Sequence, residues 1–436
     1  MTKSAFIPNF LAFYNILWAV ALPFLQKSPR LADSFAMRIC ASRLSPADLW
    51  IQAASAGEAL LAVRLIRHLT PGFPVRVLVT TTTDQGMQIL KTEQVGDFFH
   101  PHVSVSLAWF PFDMPKVAQA AVKQVNPKAM VLLETELWPA LLYYLRQNRS
   151  QILVINGRMS KKSSRGYQWT QSLWSRVTPH QILAVSNPDA DRFRRVFAGA
   201  AVSTMPNIKF ESIGPLPSEK TVPPLTDLFP CPLPVSIFAS IRRQEEKQVL
   251  QMVHRILDRF PDQVVAIFPR HMHRLSAWKR LLNKTGHRVY LRSRIKAPLL
   301  CPGIILWDRF GEMRSAFGHA DVVFMGGSLA PLGGQNFMEP LLQGTPVVTG
   351  PFWDDFFWVG KAVFDTGLVE RKTDWQAIAD AMVHHLAHPG DRQIRRQSAS
   401  AYVTARAGGA DMACQAVMAA LSGTGAAAYG RGRTRS

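Results

Sequence analysis

Cysteine is scarce in this chain. Four occur in 436 residues, Cys40, Cys231, Cys301 and Cys414, with no CxxC pair and no Cys/His cluster. That spacing excludes a disulfide scaffold and a thiolate zinc site, and it fits a reducing compartment. HExxH, GxxxxGK(S/T) and GxSxG are also missing, so zinc hydrolase, P-loop ATPase and α/β-hydrolase readings have no support. Acidic residues are few: 30 Asp plus Glu against 50 Lys plus Arg give a formal net charge of +20. Such a surplus implies an anionic partner: nucleic acid, acidic lipid or a phosphorylated substrate. The basic residues are scattered and form no aromatic–basic stripe of the kind that binds single strands, so nucleic acid is not expected. Hydrophobic residues are not lacking. At 47% they supply ample core material, and the length suits two domains rather than one.

Charge is also absent between Lys3 and Lys27, a run that includes FLAFYNILWAVALPFL from Phe10 to Leu25. As a helix it would be long enough to reach across a bilayer. Pro8, Asn9, Asn15 and Pro23 argue against a deep span, and no small-x-small cleavage site follows. Residues 1–30 therefore read as a membrane anchor or an interfacial helix, touching an anionic membrane surface. Lys27, Arg30 and Arg38 follow the run and assign the next domain to the cytoplasmic face.

From Leu49 onward, short β-rich runs alternate with helical stretches. The first half offers Leu49–Gln52, Val75–Thr80, Ala129–Leu133, Ile152–Ile155 and Ile182–Val185. The second offers Val235–Ala239, Val264–Phe268, Arg288–Leu291, Ile304–Leu306, Val322–Met325 and Pro346–Val348. Alternation of this kind predicts an α/β protein with parallel sheets covered by helices on both faces. Seven prolines between Pro215 and Pro234 break the pattern and mark a linker. The expected domains are thus 31–214 for the acceptor and 235–421 for the donor, joined by linker 215–234 and followed by a basic tail at 422–436, with the helical stretch 389–421 also open to packing back on the first domain. Ligands of such sheets bind at the carboxyl ends of the strands, in a cleft that both domains are expected to line.

Several segments carry candidate chemistry. Asp321–Pro351 reads as strand, glycine turn, short helix and strand, with Gly326-Gly327-Ser328, Gly333-Gly334 and Asn336 three residues before Glu339. Free amides in a glycine loop favour phosphate, and a nearby carboxylate can hold ribose hydroxyls. The same residues also fit an ordinary capped helix. Ser55-Ala56-Gly57-Glu58 offers Glu58 as a general base, and it equally fits a capping box. Glu134 and Glu136 follow an apolar strand, and they share a face only if that strand continues. Pro139 favours a helix start there instead, with Thr135 as cap. Arg158, Lys209 and the pair Arg270-His271 lie at expected strand ends or turns, where they could meet phosphate or carboxylate. Gly311-Glu312-Met313 is either a nucleotide-gripping turn or a plain one.

Taken in order, these segments resemble the 3-deoxy-D-manno-octulosonic acid (Kdo) transferase family. The resemblance rests on SAGE at Ser55–Glu58, TTTT at Thr80–Thr83, PFDMP at Pro111–Pro115 and ETELWP at Glu134–Pro139. It continues through NGRMS at Asn156–Ser160, NIKF at Asn207–Phe210, PRH at Pro269–His271, GEM at Gly311–Met313 and GGSLAPLGGQNFMEP at Gly326–Pro340. It implies a GT-B glycosyltransferase fold, two Rossmann-like domains facing a cleft behind an N-terminal membrane-anchor helix. It also implies an inverting reaction with no metal and no cofactor, moving Kdo from CMP-Kdo to a lipid A precursor at the inner membrane. By position, Glu58 would be the base, with Ser55, Gly57, Glu134, Glu136, Arg158 and Lys209 around the acceptor. Arg270, His271, Gly311, Glu312, Met313, Gly327, Ser328, Asn336 and Glu339 would hold the donor. The chain departs from the family pattern at Ala239-Ser240-Ile241, usually Gly-Ser-Thr and here followed by Arg242-Arg243, and at Gly157, Met159, Pro206 and Glu211. Two alternatives stand beside this reading: a UDP-sugar transferase or epimerase on the same scaffold, and a non-catalytic basic membrane or nucleic-acid-binding protein.

Overall fold

The alternation seen in the sequence folds into two seven-stranded parallel sheets. The computed structural model describes residues 6–94, 99–213, 225, 228, 233–296 and 301–423. Most of the expected linker 215–234 and all but Ser422 and Gly423 of the expected tail lie outside these residues. The chain divides into two compact units, Met1–Ser212 with Arg406–Ser436, and Ile213–Ala405.

In the first unit the strands are β1 (Leu49–Ala53), β2 (Val75–Thr81), β3 (Val103–Trp109), β4 (Ala129–Leu133), β5 (Gln151–Gly157), β6 (Gln181–Ala184) and β7 (Ala201–Thr204). Their order across the sheet is β3-β2-β1-β4-β5-β6-β7. Leu49 of β1 stands opposite Val77 on one side and Ala129 on the other. Helices cover both faces, so β1 and β4 are buried along their full length and read as unbroken apolar runs. The edge strands β3 and β7 are additions to the expected set. Their serines and half-exposed positions lack the hydrophobic density by which central strands are found.

Four helices of this unit position the candidate residues: α1 (Phe6–Gln26), α2 (Ala56–His68), α3 (Pro115–Val125) and α4 (Pro139–Gln147). Helix α1 carries an apolar stripe at Ile7, Leu11, Tyr14 and Trp18, the spacing of one helical face. Ile7 and Leu11 are buried in the same core as Trp50, Phe110, Leu137, Ala140 and Leu141, and Tyr14 packs against it. The other side of α1 exposes Phe13, Ile16, Leu17, Val20 and Phe24. Arg38, one of the three cations that follow the apolar run, is buried. Its Nε donates to Ser34 Oγ (3.0 Å), its Nη2 donates to the Thr82 carbonyl (2.6 Å), and its guanidinium lies 4.9 Å from the Trp109 ring.

The second unit contains β8 (Val235–Ile241), β9 (Val264–Pro269), β10 (Val289–Leu291), β11 (Gly303–Leu306), β12 (Val322–Met325), β13 (Val347–Thr349) and β14 (Glu370–Arg371). Their order is β10-β11-β9-β8-β12-β13-β14. Helix α5 (Glu246–Arg259) follows β8, and the short α6 (Met338–Leu342) precedes β13.

The expected donor-domain boundary at 421 is corrected. The last helix, α7 (Gly409–Leu421), belongs to the first unit. Ala410, Ala413, Cys414, Val417 and Leu421 make one apolar face, buried with residues of α2, β4 and β5. Glu211 Oε1 accepts from the Gly408 and Ala410 amides (2.9 and 3.0 Å), which supplies acceptors for unpaired donors at the helix start.

Candidate active site

Strand order reverses between β1 and β4 in the first sheet, and between β8 and β12 in the second. Ligands of doubly wound sheets sit outside the carboxyl ends of the strands at such a reversal. The candidate residues cluster at these two places.

In the first unit, β1 ends at Ala53, Ser55 caps α2, and Glu58 lies in the first turn. Ser55 does cap the helix, its Oγ accepting from the Glu58 amide (3.3 Å), but the reciprocal half of a capping box is displaced by one residue: Glu58 Oε2 accepts from the amide of Ala54 (2.6 Å). Ser55 Oγ also contacts Glu58 Oε1 (3.1 Å). Cap and base are nevertheless compatible. Burial pushes the Glu58 pKa up to about 7; the Ala54 amide opposes this, while Glu136 and Glu134 add to it. A carboxyl group poised near neutrality suits a general base. Gly57, in the same turn, would bring a Cβ no closer than 3.8 Å to the Ser55 hydroxyl.

The β4–α4 connection brings two more carboxylates to this point. The strand does not continue through Glu134, whose backbone turns to φ +55° while its amide donates to the Ile155 carbonyl (3.0 Å). Nor does Thr135 cap the helix; its hydroxyl donates to the Arg158 carbonyl, and α4 starts after Trp138. The expected shared strand face is therefore absent, yet both side chains interact electrostatically with Glu58. Lys209 Nζ (2.8 Å) and Arg158 Nη1 (3.7 Å) pair with Glu134. Glu136 Oε2 accepts from Trp138 Nε1 (3.0 Å) and Gln52 Nε2 (3.5 Å). Burial raises the Glu136 pKa, and these two donors restrain the rise. Asn156, at φ +57°, accepts from the Ile208 amide (3.0 Å), and Asn207 Oδ1 accepts from the Lys209 amide (2.9 Å). NGRMS and NIKF are thus knitted together, and Lys209 is aimed by them. All the acceptor-side residues expected from sequence lie around this one reversal.

The second unit corrects part of the donor expectation. The amides of Gly327, Ser328 and Leu329 do not stand open for phosphate. All three donate to the buried Glu245 carboxylate, at 2.7, 2.9 and 2.8 Å. Glu245 also accepts from the Arg242 amide (3.2 Å). The loop amides need an anionic acceptor, and the β8–α5 turn supplies one from inside the fold. Ser328 is fully buried, donates to the Met325 carbonyl (2.6 Å) and accepts from the Gly350 amide (2.8 Å). Gly326 is required by packing: a Cβ there would stand 2.8 Å from the Ala239 carbonyl. Glu312 is likewise tied internally, by Arg292 Nε (2.8 Å) and Trp307 Nε1 (3.0 Å). Gly327, Ser328 and Glu312 shape the loop ends from within. Met313 contacts the Ser240 hydroxyl through sulfur (3.6 Å), while Gly311, at φ +84°, has open space beside it.

Other donor candidates remain available. Arg270 and His271 are exposed just after β9. Desolvation, then the charges of Arg242, His273 and Arg270, lowers the His271 pKa, so these groups share one locality. Asn336 Nδ2 donates to Glu339 Oε1 (2.8 Å), and its Oδ1 accepts from the Met338 amide (3.2 Å), with Phe337 rather than Asn336 at the cap position of α6. Burial raises the Glu339 pKa against the opposing charge of Arg314. Glu245 and Arg242 are site-forming residues that the sequence motifs do not single out.

Comparison with known proteins shows what this chain resembles. Residues 29–212 match the family model for 3-deoxy-D-manno-octulosonic-acid transferase (kdotransferase). A Haemophilus influenzae 3-deoxy-D-manno-octulosonic acid transferase is 29% identical over 356 residues, covering 78% of this chain and 81% of the relative. The Bordetella pertussis enzyme of the same name is 28% identical over 373 residues, covering 83% and 85%. A glycosyltransferase structure from Rickettsia africae covers 86% of this chain and 98% of that one, with TM-score 0.52 and 10% identity, a likeness of fold alone. Both units therefore have the Rossmann-like architecture of GT-B glycosyltransferases. Residues 29–212 form a domain of the 3-deoxy-D-manno-octulosonic-acid transferase family, and the chain is homologous to those transferases over most of its length.

Proposed function

We propose that this protein transfers Kdo from CMP-Kdo to a lipid A-type precursor in lipopolysaccharide inner-core assembly, inverting the anomeric centre without a metal. The observation that carries the mechanism is Glu58, a buried carboxyl with a pKa near 7 at the β1/β4 reversal, flanked by Glu134 and Glu136. Glu58 takes the proton of an acceptor sugar hydroxyl. The hydroxyl oxygen bonds to the anomeric carbon of Kdo as the bond from that carbon to the CMP oxygen breaks. CMP leaves with the bonding electron pair. Lys209 and Arg158 hold Glu134 in place, and their charge favours an anionic acceptor. The cations Arg242 and Arg270, with His271, offset the charge that grows on the departing phosphate. Asn336, Glu339 and the open turn at Gly311 complete the donor pocket.

The acceptor is a membrane glycolipid, and α1 provides the contact with its bilayer. One face of α1 is already packed on the protein, so the helix lies in one leaflet at the inner membrane's cytoplasmic face, with Phe13, Ile16, Val20 and Phe24 towards the acyl chains. The test is incubation of detergent-solubilised protein with CMP-Kdo and a tetraacylated lipid A precursor, read by mass spectrometry. Addition of one or more Kdo residues is expected. Transfer from UDP-sugars instead, or no transfer, overturns the proposal.

A further inference from the structure

The PFDMP segment has no role in the chemistry above, yet it occupies a junction. It follows β3 and lies against both α1 and α4. Trp18 of α1 packs against Phe112 with ring centroids 5.5 Å apart and the rings tilted by 37°. Tyr14 of α1 faces the next residue, Asp113, and interacts with its carboxylate. Asp113 is buried, and its two oxygens accept from the first-turn amides of α4, Ala140 (3.0 Å) and Leu141 (2.7 Å). Helix α4 has no side-chain cap of its own at Trp138, so Asp113 supplies that cap from a distant part of the chain. Phe110, just before the segment, packs its ring 5.4 Å from Trp138, and the Trp138 indole donates to Glu136.

These contacts form a continuous path from α1 through Phe112 and Asp113 to Trp138 and Glu136, beside Glu58. The path ends in a strained connection, since Glu134 holds a left-handed backbone that persists only where its surroundings fix it. We propose that α1 is a strut of the active site as well as a membrane contact: its inner face, acting through Asp113 as a positioning residue, holds the Glu134–Leu141 segment and hence the Glu136 carboxylate. The inference rests on the reading of Glu58 and Glu136 as the reaction site. It makes membrane seating and carboxylate geometry properties of one rigid element.

The test uses full-length protein in detergent micelles, so that loss of membrane attachment is not the variable. Tyr14→Phe combined with Trp18→Ala alters only the inner face of α1; Asp113→Asn, which keeps one acceptor oxygen, and Asp113→Ala grade the cap. Amide hydrogen exchange across residues 134–142 is expected to quicken about tenfold in the α1 variant, with residues 151–157 unchanged. The kcat per folded molecule should fall about tenfold while the donor KM stays level, a split that simple loss of folded protein does not produce. Asp113→Asn should fall between wild type and Asp113→Ala. Unchanged exchange at 134–142 overturns the proposal, whatever reaction the enzyme performs. So does a kcat per folded molecule within about twofold of wild type. If wild type transfers no Kdo, the functional reading fails, and the exchange data still decide the strut.

Discussion

Replacing Glu58 by Gln should separate catalysis from folding, and in opposite directions. The substituted amide would keep the local contacts: its carbonyl can accept from the Ala54 amide, and its NH2 can donate to the Ser55 hydroxyl, which then accepts where it had donated. The helix start is therefore retained, while the base is lost. Turnover should drop by a factor of about 100 to 10,000, the usual worth of a positioned general base. The wild-type rate should rise with pH to a plateau, with its midpoint near the Glu58 pKa of about 7, because only the ionised form accepts a proton. Stability should move the other way. The folded-state pKa is raised from 4.5, so the fold binds the Glu58 proton more tightly than the unfolded chain does. That advantage is complete below about pH 4.5 and lost as pH rises through about 7. The raise corresponds to about 3 kcal/mol, an upper figure because Glu58 and Glu136 titrate together. Thermal melts should therefore show the variant gaining on wild type between acid and neutral pH, by about 6 °C above about pH 8. A variant that is no more stable at alkaline pH, or that turns over within tenfold of wild type, would refute the argument that this carboxyl is both buried and catalytic.

Two further outcomes test the same physical account. Glu245→Ala leaves the Gly327, Ser328 and Leu329 amides without their acceptor and should cost about 4 kcal/mol in denaturant unfolding; a loss below about 1 kcal/mol would mean that the loop re-pairs without Glu245. Phe13, Val20 and Phe24 all changed to Ser remove outward apolar surface from α1 and should weaken cosedimentation with anionic vesicles about a hundredfold, with melting behaviour unchanged.

The fold is readable where strands are central. β1 and β4 are buried on both sides, so their residues spell continuous apolar runs, whereas β3 mixes Ser104 and Ser106 into an edge position and escapes notice. On the acceptor side, Glu58, Glu134 and Glu136 stand out by residue type at strand ends. Their convergence follows from β1 lying beside β4, an adjacency of the sheet order that no local pattern encodes. The donor loop misleads for a related reason. An amide cradle looks the same in sequence whether phosphate or a carboxylate fills it, and Glu245 lies 82 residues before Gly327. Helix α7 is legible as a helix from its spacing, and its return to the first unit is one of the two placements the sequence leaves open, but its small apolar face does not choose between them, so a boundary drawn at 421 assigns it to the wrong unit.

That return has a consequence for how the chain can be edited. Glu211 immediately precedes the point where the backbone leaves the first unit, and the amides it holds, those of Gly408 and Ala410, immediately follow the point where it comes back. The exit and re-entry ends are thus stapled side by side by a single carboxylate. Residues 213–405 are inserted, in chain order, between the two segments of the first unit. Grafting a foreign sugar-nucleotide module in their place would ask only that its own ends meet, and a short bridge from Ser212 to Arg406 would close the host without it.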